Sequence, residues 1–234
     1  MTRPVLLNNI DHKDLRVITA HDAAYGDNVM AALSFPAEFR NLQAHYPIVF
    51  QKTADGTAFQ PVALLGFREG ENLFLRDGRW DAAYVPLAIE RQPFLIGFDN
   101  GQPVVHVDME SARLSRSEGE PVFLPYGGMS PYLERINAVL QTLHEGLQGT
   151  PAFVASLLRH ELLEPFALEF DRADGTPVRW SGCYIVHEER LRQLSAAALG
   201  ELNEAGHLFD LYMAVASVSR FGELVARARD ATPA

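Results

Sequence analysis

The sequence predicts an α+β protein with an antiparallel sheet built from β-hairpins and with helices concentrated in the carboxyl-terminal half. Strand-like runs are joined by Asp-Gly or Asn-Gly turns, capped helix starts come late in the chain, and strict β-α-β alternation is absent. We expect one α+β domain over residues 1–234. The alternative is two packed lobes, about 1–128 rich in strands and 129–234 rich in helices.

Three hairpins are predicted, because a glycine at each turn accepts the positive φ that a tight connection needs. Their turns are Asp55-Gly56, Asn100-Gly101 and Asp174-Gly175. The flanking strands are expected at 47–52 and 59–67, at 94–98 and 103–108, and at 166–170 and 178–186. A further strand is expected at 72–75.

Four helices are predicted from capping residues and from apolar side chains that recur at helical spacing. Ser130-Pro131 and Thr150-Pro151 each predict a helix start, and Pro165 is expected to end the second helix. A third helix is expected from near Ser195 to about Gly206, and a fourth from near Asp210. In the fourth helix one apolar stripe is predicted, formed by Leu211, Val215, Val218 and Val225.

The composition narrows the classes of function. The chain has 20 basic and 30 acidic residues and a formal net charge of −10, which disfavours binding to nucleic acid or to anionic lipid. No apolar run is long enough for a secretory signal or a membrane span, so a cytoplasmic location without membrane insertion is expected. The single cysteine, Cys183, excludes an internal disulfide. No cofactor is expected.

One spacing points to metal chemistry. His106-Val107-Asp108 ends a predicted strand, and residues at i and i+2 share a strand face, as in Fe(II) sites with two histidines and a carboxylate. His187 is the best-placed second histidine. The alternative is a solvated histidine beside a turn aspartate, and the pair is near chance frequency. Gly127 to Ser130 is similar to an oxyanion loop but lacks the Gly-x-Ser-x-Gly elbow, so a capped helix start explains it.

The segment 80–94 follows neither a strand nor a helix period and carries two prolines. Its candidate binding anchors are Trp80, Tyr84, Arg91 and Phe94, since aromatic and arginine side chains dominate binding surfaces. We expect Arg91→Ala to weaken partner capture without unfolding the protein. The alternative is a packed connector between strands, for which the same variant would lose stability instead.

Several segments together resemble the bacterial SapC-like family. They are Tyr46–Phe50, Val62–Phe67, Asn72–Phe74, Tyr84–Pro86, Arg91–Phe94, Gly182–Val186 and Gly206–Leu208, the last ahead of a helix with Ser217 and Ser219. The family takes its name from a protein linked to a bacterial surface layer. The resemblance implies no catalytic residues, and it implies gene neighbourhoods with halogenase-like proteins, cupin-like oxygenase relatives and TonB-dependent receptors.

The favoured function is therefore that of a non-catalytic accessory or binding protein of a bacterial modification or uptake system, with a protein or small molecule as partner. Two alternatives stay open. One is an Fe(II)/2-oxoglutarate-type oxygenase using His106, Asp108 and His187. The other is a structural component of a surface layer.

Overall fold

The computed structural model describes residues 3–230, which divide into two compact units interleaved along the chain. The first unit contains residues 3–28, Leu75–Asp81 and Leu87–Glu145. The second contains Val29–Phe74, Ala82–Pro86 and residues 146–230. Each unit is thus assembled from segments that are distant in sequence.

Helices and short antiparallel strands make up both units, which confirms the α+β prediction. The strands are β1 Pro4–Leu6, β2 Arg16–Val17, β3 Ala31–Leu33, β4 Ile48–Lys52, β5 Phe59–Leu64, β6 Leu75–Arg76, β7 Arg79–Trp80, β8 Phe94–Asp99, β9 Gln102–Asp108, β10 Leu114–Ser115, β11 Glu120–Pro121, β12 Leu163–Asp171 and β13 Pro177–Val186. The helices are α1 Phe39–Leu42, α2 Leu87–Glu90, α3 Pro131–Arg159, α4 Glu188–Arg192, α5 Ala196–Glu204, α6 His207–Ser217 and α7 Phe221–Asp230. Three short 3-10 turns lie at Ala23–Tyr25, Pro36–Glu38 and Val218–Arg220.

In the first unit, a three-stranded sheet of order β1-β9-β8 packs against the beginning of α3. The predicted hairpin between β8 and β9 is confirmed, with Phe94 opposite Val107 and Asp99 opposite Gln102. Phe94 and Val107 are fully buried and share a core with Ile136 of α3. Side chains on alternate positions of each strand face this core, as the period of two requires.

In the second unit, a five-stranded sheet has the order β12-β13-β4-β5-β3. The other two predicted hairpins are confirmed, since β4 pairs with β5 and β12 pairs with β13 in antiparallel register. Residues 48–50 are buried throughout, as expected for an inner strand. The strand expected at 72–75 is absent except for Leu75, because the Asn72 side chain accepts a hydrogen bond from the Phe74 amide and forms a turn.

The two helices predicted between Ser130 and Pro165 are one helix, α3, which has Pro151 in its interior. Packing outweighs the roughly 3 kcal/mol that an interior proline costs, since Phe153 and Leu157 beyond it are fully buried. Pro165 does not end the helix. The end comes at Arg159, after which Glu161 takes a left-handed φ of 54° and the Leu162 amide bonds back to the Leu157 carbonyl. Pro165 instead lies in β12, an edge strand, where a missing amide donor is tolerated.

The third helix is confirmed as α5, with the Ser195 side chain accepting a hydrogen bond from the Ala198 amide. The predicted fourth helix is instead α6, the 3-10 turn at Val218–Arg220 and α7. Its predicted stripe is also wrong, because Val215, Val218 and Val225 are only half-buried. The buried positions are Leu211, Ala214, Ser217, Phe221, Leu224 and Ala228.

Within residues 3–230, no helix combines the length and apolar character needed to cross a membrane.

Candidate functional site

Two of the predicted binding anchors, Trp80 and Tyr84, make internal contacts. The Trp80 ring lies edge-on to His21 in the first unit, with 5.3 Å between ring centroids. Tyr84 belongs to the second unit, where its hydroxyl donates to Glu38 Oε1 at 3.1 Å and its carbonyl accepts from the Tyr46 hydroxyl. These bonds fix the Tyr84 backbone and side chain.

The other two anchors, Arg91 and Phe94, lie in the first unit and bond to each other. Phe94 is fully buried and packs near Tyr132, with 6.2 Å between ring centroids. One guanidinium nitrogen of Arg91 donates to the Phe94 carbonyl at 2.6 Å. Burial lowers the pKa of Arg91 from its ordinary value. This geometry supports the packed-connector interpretation of the segment over an exposed binding loop.

The three residues of the predicted metal site have other roles. Asp108 Oδ1 accepts hydrogen bonds from the amides of Arg3 at 2.8 Å and Glu110 at 3.1 Å. His187, in the second unit, caps α4 by accepting from the Arg190 amide at 3.4 Å. Over residues 3–230, no three His, Cys, Asp or Glu side chains are grouped so that they could hold a metal ion. The oxygenase alternative therefore receives no support from this geometry.

His106 lies over Gly97 of the neighbouring strand, which explains why position 97 lacks a side chain. A Cβ atom at Gly97 would lie 2.1 Å from His106 Nδ1. Leu95 is directly opposite His106, so Gly97 occupies the diagonal position that a ring can cover. His106 Nδ1 is buried and has no hydrogen-bond partner among the described residues.

Two nucleophile candidates are internal. Ser130 is buried and its hydroxyl accepts a hydrogen bond from the Leu133 amide, which confirms it as the cap of α3. Cys183 is buried in β13, and burial raises the pKa of its thiol to about 12. A protonated, buried thiol is a poor nucleophile.

A buried ion pair, which the sequence pattern does not indicate, holds the first unit together. The guanidinium of Arg113 contacts both carboxylate oxygens of Asp27, at 2.5 and 2.6 Å, and it also donates to the carbonyls of Ile18 and Ala20. His21 Nδ1 lies 3.1 Å from Asp27 Oδ2. Burial alone would raise the pKa of Asp27, but hydrogen bonds from His21 and Arg113 outweigh it and hold that pKa below its ordinary value.

Tyr126 is the most exposed of the large hydrophobic side chains, and it lies in a tight turn before α3. We call residues 123–129 the docking turn. Within it the Gly127 amide donates to the Leu124 carbonyl at 2.9 Å, and the Leu124 amide donates to the Gly128 carbonyl at 2.7 Å. Pro125 fits the second position of such a turn, and Gly127 takes a φ of 91°. Phe123 and Met129 form a β-bridge at its base.

The docking turn displays apolar side chains to solvent. Tyr126 is fully exposed, and Leu124 and Met129 are each about half exposed, at 46% and 47%. The Asn9 side chain donates a hydrogen bond to the Gly127 carbonyl at 2.8 Å, so the loop that follows β1 and contains Asn9 lies against the turn. The next residue of that loop, Ile10, is 80% exposed. The turn is thus fixed by hydrogen bonds, while Tyr126 is fully exposed and Leu124 and Met129 are about half exposed.

Sequence reasoning missed this surface, although a signal was present. Pro125-Tyr126-Gly127-Gly128 is a turn-forming stretch that contains an aromatic residue, with Leu124 and Met129 on either side. The capped helix start at Ser130 already accounts for the glycines at the level of sequence. Nothing in the local pattern shows that Tyr126 has no core to enter, because that depends on the rest of the fold.

Comparison with known proteins supports the resemblance described above. The family model described as SapC matches residues 7–224 of the 234. No curated protein matches the chain, and no solved structure does. The match covers nearly the whole chain, including the docking turn, the β8–β9 hairpin and most of the last two helices, so the chain belongs to the SapC family.

Proposed function

We propose that this chain is a binding protein that docks onto a partner protein through the docking turn, as an accessory component of a bacterial modification or uptake system. The observation that carries the proposal is a fully exposed Tyr126 on a turn whose backbone is held by hydrogen bonds. Family membership agrees with such a role but does not specify it.

A rigid display of an aromatic side chain favours binding for two reasons. Tyrosine and tryptophan residues supply much of the binding energy at protein interfaces when they enter a pocket on the partner. A turn already fixed by the bonds between Leu124 and Gly127 and between Asn9 and Gly127 loses little conformational entropy on docking. The half-exposed Leu124 and Met129 would then cover the edge of the contact.

The net charge of the chain indicates the kind of partner. Exposed charges of both signs lie close to the turn in sequence, with Asp11 and Lys13 after Ile10 and with Glu134 and Arg135 in the first turn of α3. The chain as a whole has a formal net charge of −10. This net charge would repel anionic lipid, whereas it would attract a positively charged protein, whose apolar pocket could receive Tyr126. We therefore favour a protein partner over a membrane.

The test is site-specific crosslinking in the native host. A photoreactive phenylalanine analogue at position 126 should crosslink one partner, identified by mass spectrometry, while the same analogue at position 212 should not. Tyr212 is a suitable control because it is also exposed, at 47%, but lies in α6 of the second unit.

A pair of variants then tests the energetic role of the tyrosine. Tyr126→Ser should reduce capture of the crosslinked partner at least about tenfold, as expected for the loss of an aromatic anchor, and should leave the melting temperature unchanged because the side chain is fully exposed. Tyr212→Ser should leave capture unchanged. Equal capture by wild type and Tyr126→Ser would refute the proposed docking surface.

A further inference from the structure

The strand β8 lies at one edge of the three-stranded sheet of the first unit, so only one of its two sides pairs with another strand of that sheet. The Asp108 amide donates to the Pro93 carbonyl at 3.1 Å, which sets the phase of the antiparallel ladder between β8 and β9. In such a ladder, alternate residues of a strand bond to the same neighbour. The amides and carbonyls of Phe94, Ile96 and Phe98 therefore point away from β9.

The open part of this edge begins after Phe94. The Phe94 amide donates to the Arg91 carbonyl at 2.8 Å, and the Phe94 carbonyl accepts from the Arg91 guanidinium, so both groups are satisfied within the chain. The amides and carbonyls of Ile96 and Phe98 have no hydrogen-bond partner among the described residues. The Phe98 side chain is 61% exposed. Backbone donors, backbone acceptors and an apolar side chain are thus available together on one edge.

The edge of β8 also lacks the features that usually prevent strands from pairing. Proline, charged side chains and bulges protect an edge strand against addition of another strand. The edge strand β12 of the second unit has all three, with Pro165, Glu169 and an irregularity between Phe166 and Leu168. Residues 94–98 of β8 contain neither proline nor charge, and their register with β9 is regular. The edge of β8 is therefore open to another strand.

We propose that β8 pairs in antiparallel orientation with β8 of a second copy of this chain, about a twofold axis at Gly97. Ile96 of each copy then lies opposite Phe98 of the other, and each such pair exchanges two backbone hydrogen bonds. Every open amide and carbonyl finds its partner in the same segment of the second copy, as a symmetric dimer interface requires. The two sheets become one continuous sheet. The proposal does not depend on the docking turn.

The side chains fit this register as well as the backbone does. Ile96 and Phe98 are on one face of the sheet, and an aromatic side chain opposite a β-branched one is a favourable cross-strand pair. Gly97 lies opposite Gly97 of the second copy, at a position where the two backbones approach most closely. Asp99 lies opposite Leu95, so the two aspartates do not face each other. A second copy therefore satisfies this edge without a charged partner.

Sedimentation velocity of the full-length protein tests whether the dimer forms. The contact is small, so we expect a monomer–dimer equilibrium with a Kd of about 1–100 µM. Phe98→Lys should weaken dimerisation at least about tenfold, because it removes the apolar pair and brings two like charges together. Leu6→Lys is the matched control, since Leu6 is 45% exposed on β1 at the opposite edge of the same sheet, and it should leave the Kd unchanged. The proposal is overturned if the protein stays monomeric at a concentration of about 300 µM, or if both variants weaken the dimer equally.

Introduced cysteines test the register. Leu95 of one copy should lie opposite Asp99 of the other, within the distance that a disulfide spans, whereas the two copies of Leu95 should be roughly 13 Å apart. Under mild oxidation, a mixture of the Leu95→Cys and Asp99→Cys variants should therefore form a disulfide-linked dimer, while neither variant alone should do so. The native Cys183 is buried and does not compete. If each variant links to itself as readily as to the other, or if the mixture stays unlinked, β8 does not pair about Gly97 and the proposal is wrong.

Discussion

Arginine and tyrosine commonly anchor protein interfaces, but the surroundings of Arg91 and Tyr126 differ. Arg91 donates to the Phe94 carbonyl within the first unit and is partly removed from water. Tyr126 is fully exposed on a hydrogen-bonded turn. A side chain whose bonds are satisfied internally stabilises the fold, whereas an exposed aromatic side chain on a fixed backbone is available to a partner.

Arg91→Ala should therefore destabilise the protein by about 1–2 kcal/mol, because it removes a hydrogen bond and leaves the Phe94 carbonyl without its partner. The measurement is the free energy of unfolding from urea denaturation. Arg116→Ala, at an exposed position in the same unit, is the control and should change it by less than about 0.5 kcal/mol. If Arg91→Ala is as stable as wild type but loses partner capture, the segment 80–94 is a binding surface after all.

At the level of secondary structure elements, the last two helices show how a small change in phase alters which residues are buried. The 3-10 turn at Val218–Arg220 has fewer residues per turn than an α-helix, so α7 does not continue the face of α6. The buried face then runs through Leu211, Ser217, Phe221 and Leu224. Ser217 is included because its hydroxyl accepts from the Ile48 amide of β4 at 2.9 Å.

Leu224→Ala should consequently destabilise the protein by about 2–5 kcal/mol, as expected when a fully buried leucine is truncated. Val225→Ala should cost about 1 kcal/mol or less, because Val225 is only half-buried. Chemical denaturation of the two variants gives the comparison directly. If Val225→Ala lowered the free energy of unfolding more than Leu224→Ala, the apolar stripe predicted from spacing alone would be correct.

At the scale of the whole molecule, each unit contains a carboxylate held by a buried arginine. Asp27 pairs with Arg113 in the first unit, and Glu71 Oε1 pairs with Arg172 at 2.9 Å in the second. Burial alone would raise the pKa of Glu71, but hydrogen bonds from the Phe67 amide and from Arg172 and Arg68 outweigh it, so its pKa is lowered. Both carboxylates thus have folded-state pKa values below their ordinary values.

A lowered folded-state pKa stabilises the protein above the unfolded-state pKa, which is about 4 for these groups, and this stabilisation is lost as the pH falls through the lower folded-state value. The free energy of unfolding should therefore decrease between pH 5 and pH 3, as measured by urea denaturation at each pH. Asp27→Asn should weaken this pH dependence. It should also destabilise the protein at pH 7 by about 3–5 kcal/mol, since Arg113 is left buried without its partner. Equal stability at pH 3 and pH 7 would contradict the role assigned to these pairs.

The sequence by itself determined the local features of this protein. Hairpins at Asp55-Gly56, Asn100-Gly101 and Asp174-Gly175 and helix starts at Ser130 and Ser195 were predicted correctly. Turn and cap chemistry acts over two to four residues, so a short stretch contains the information. The family resemblance was also visible in the sequence and is confirmed by the match over residues 7–224.

The tertiary structure alone decided the features that depend on distant residues. Packing at Phe153 keeps α3 continuous through Pro151, and Arg113 meets Asp27 across 86 residues of chain. Distant residues also decide whether an aromatic side chain is buried or exposed. Phe94 is fully buried in the core of the first unit, whereas Tyr126 is fully exposed. Burial depends on what the folded chain places against a side chain, and no local pattern of residues contains that information.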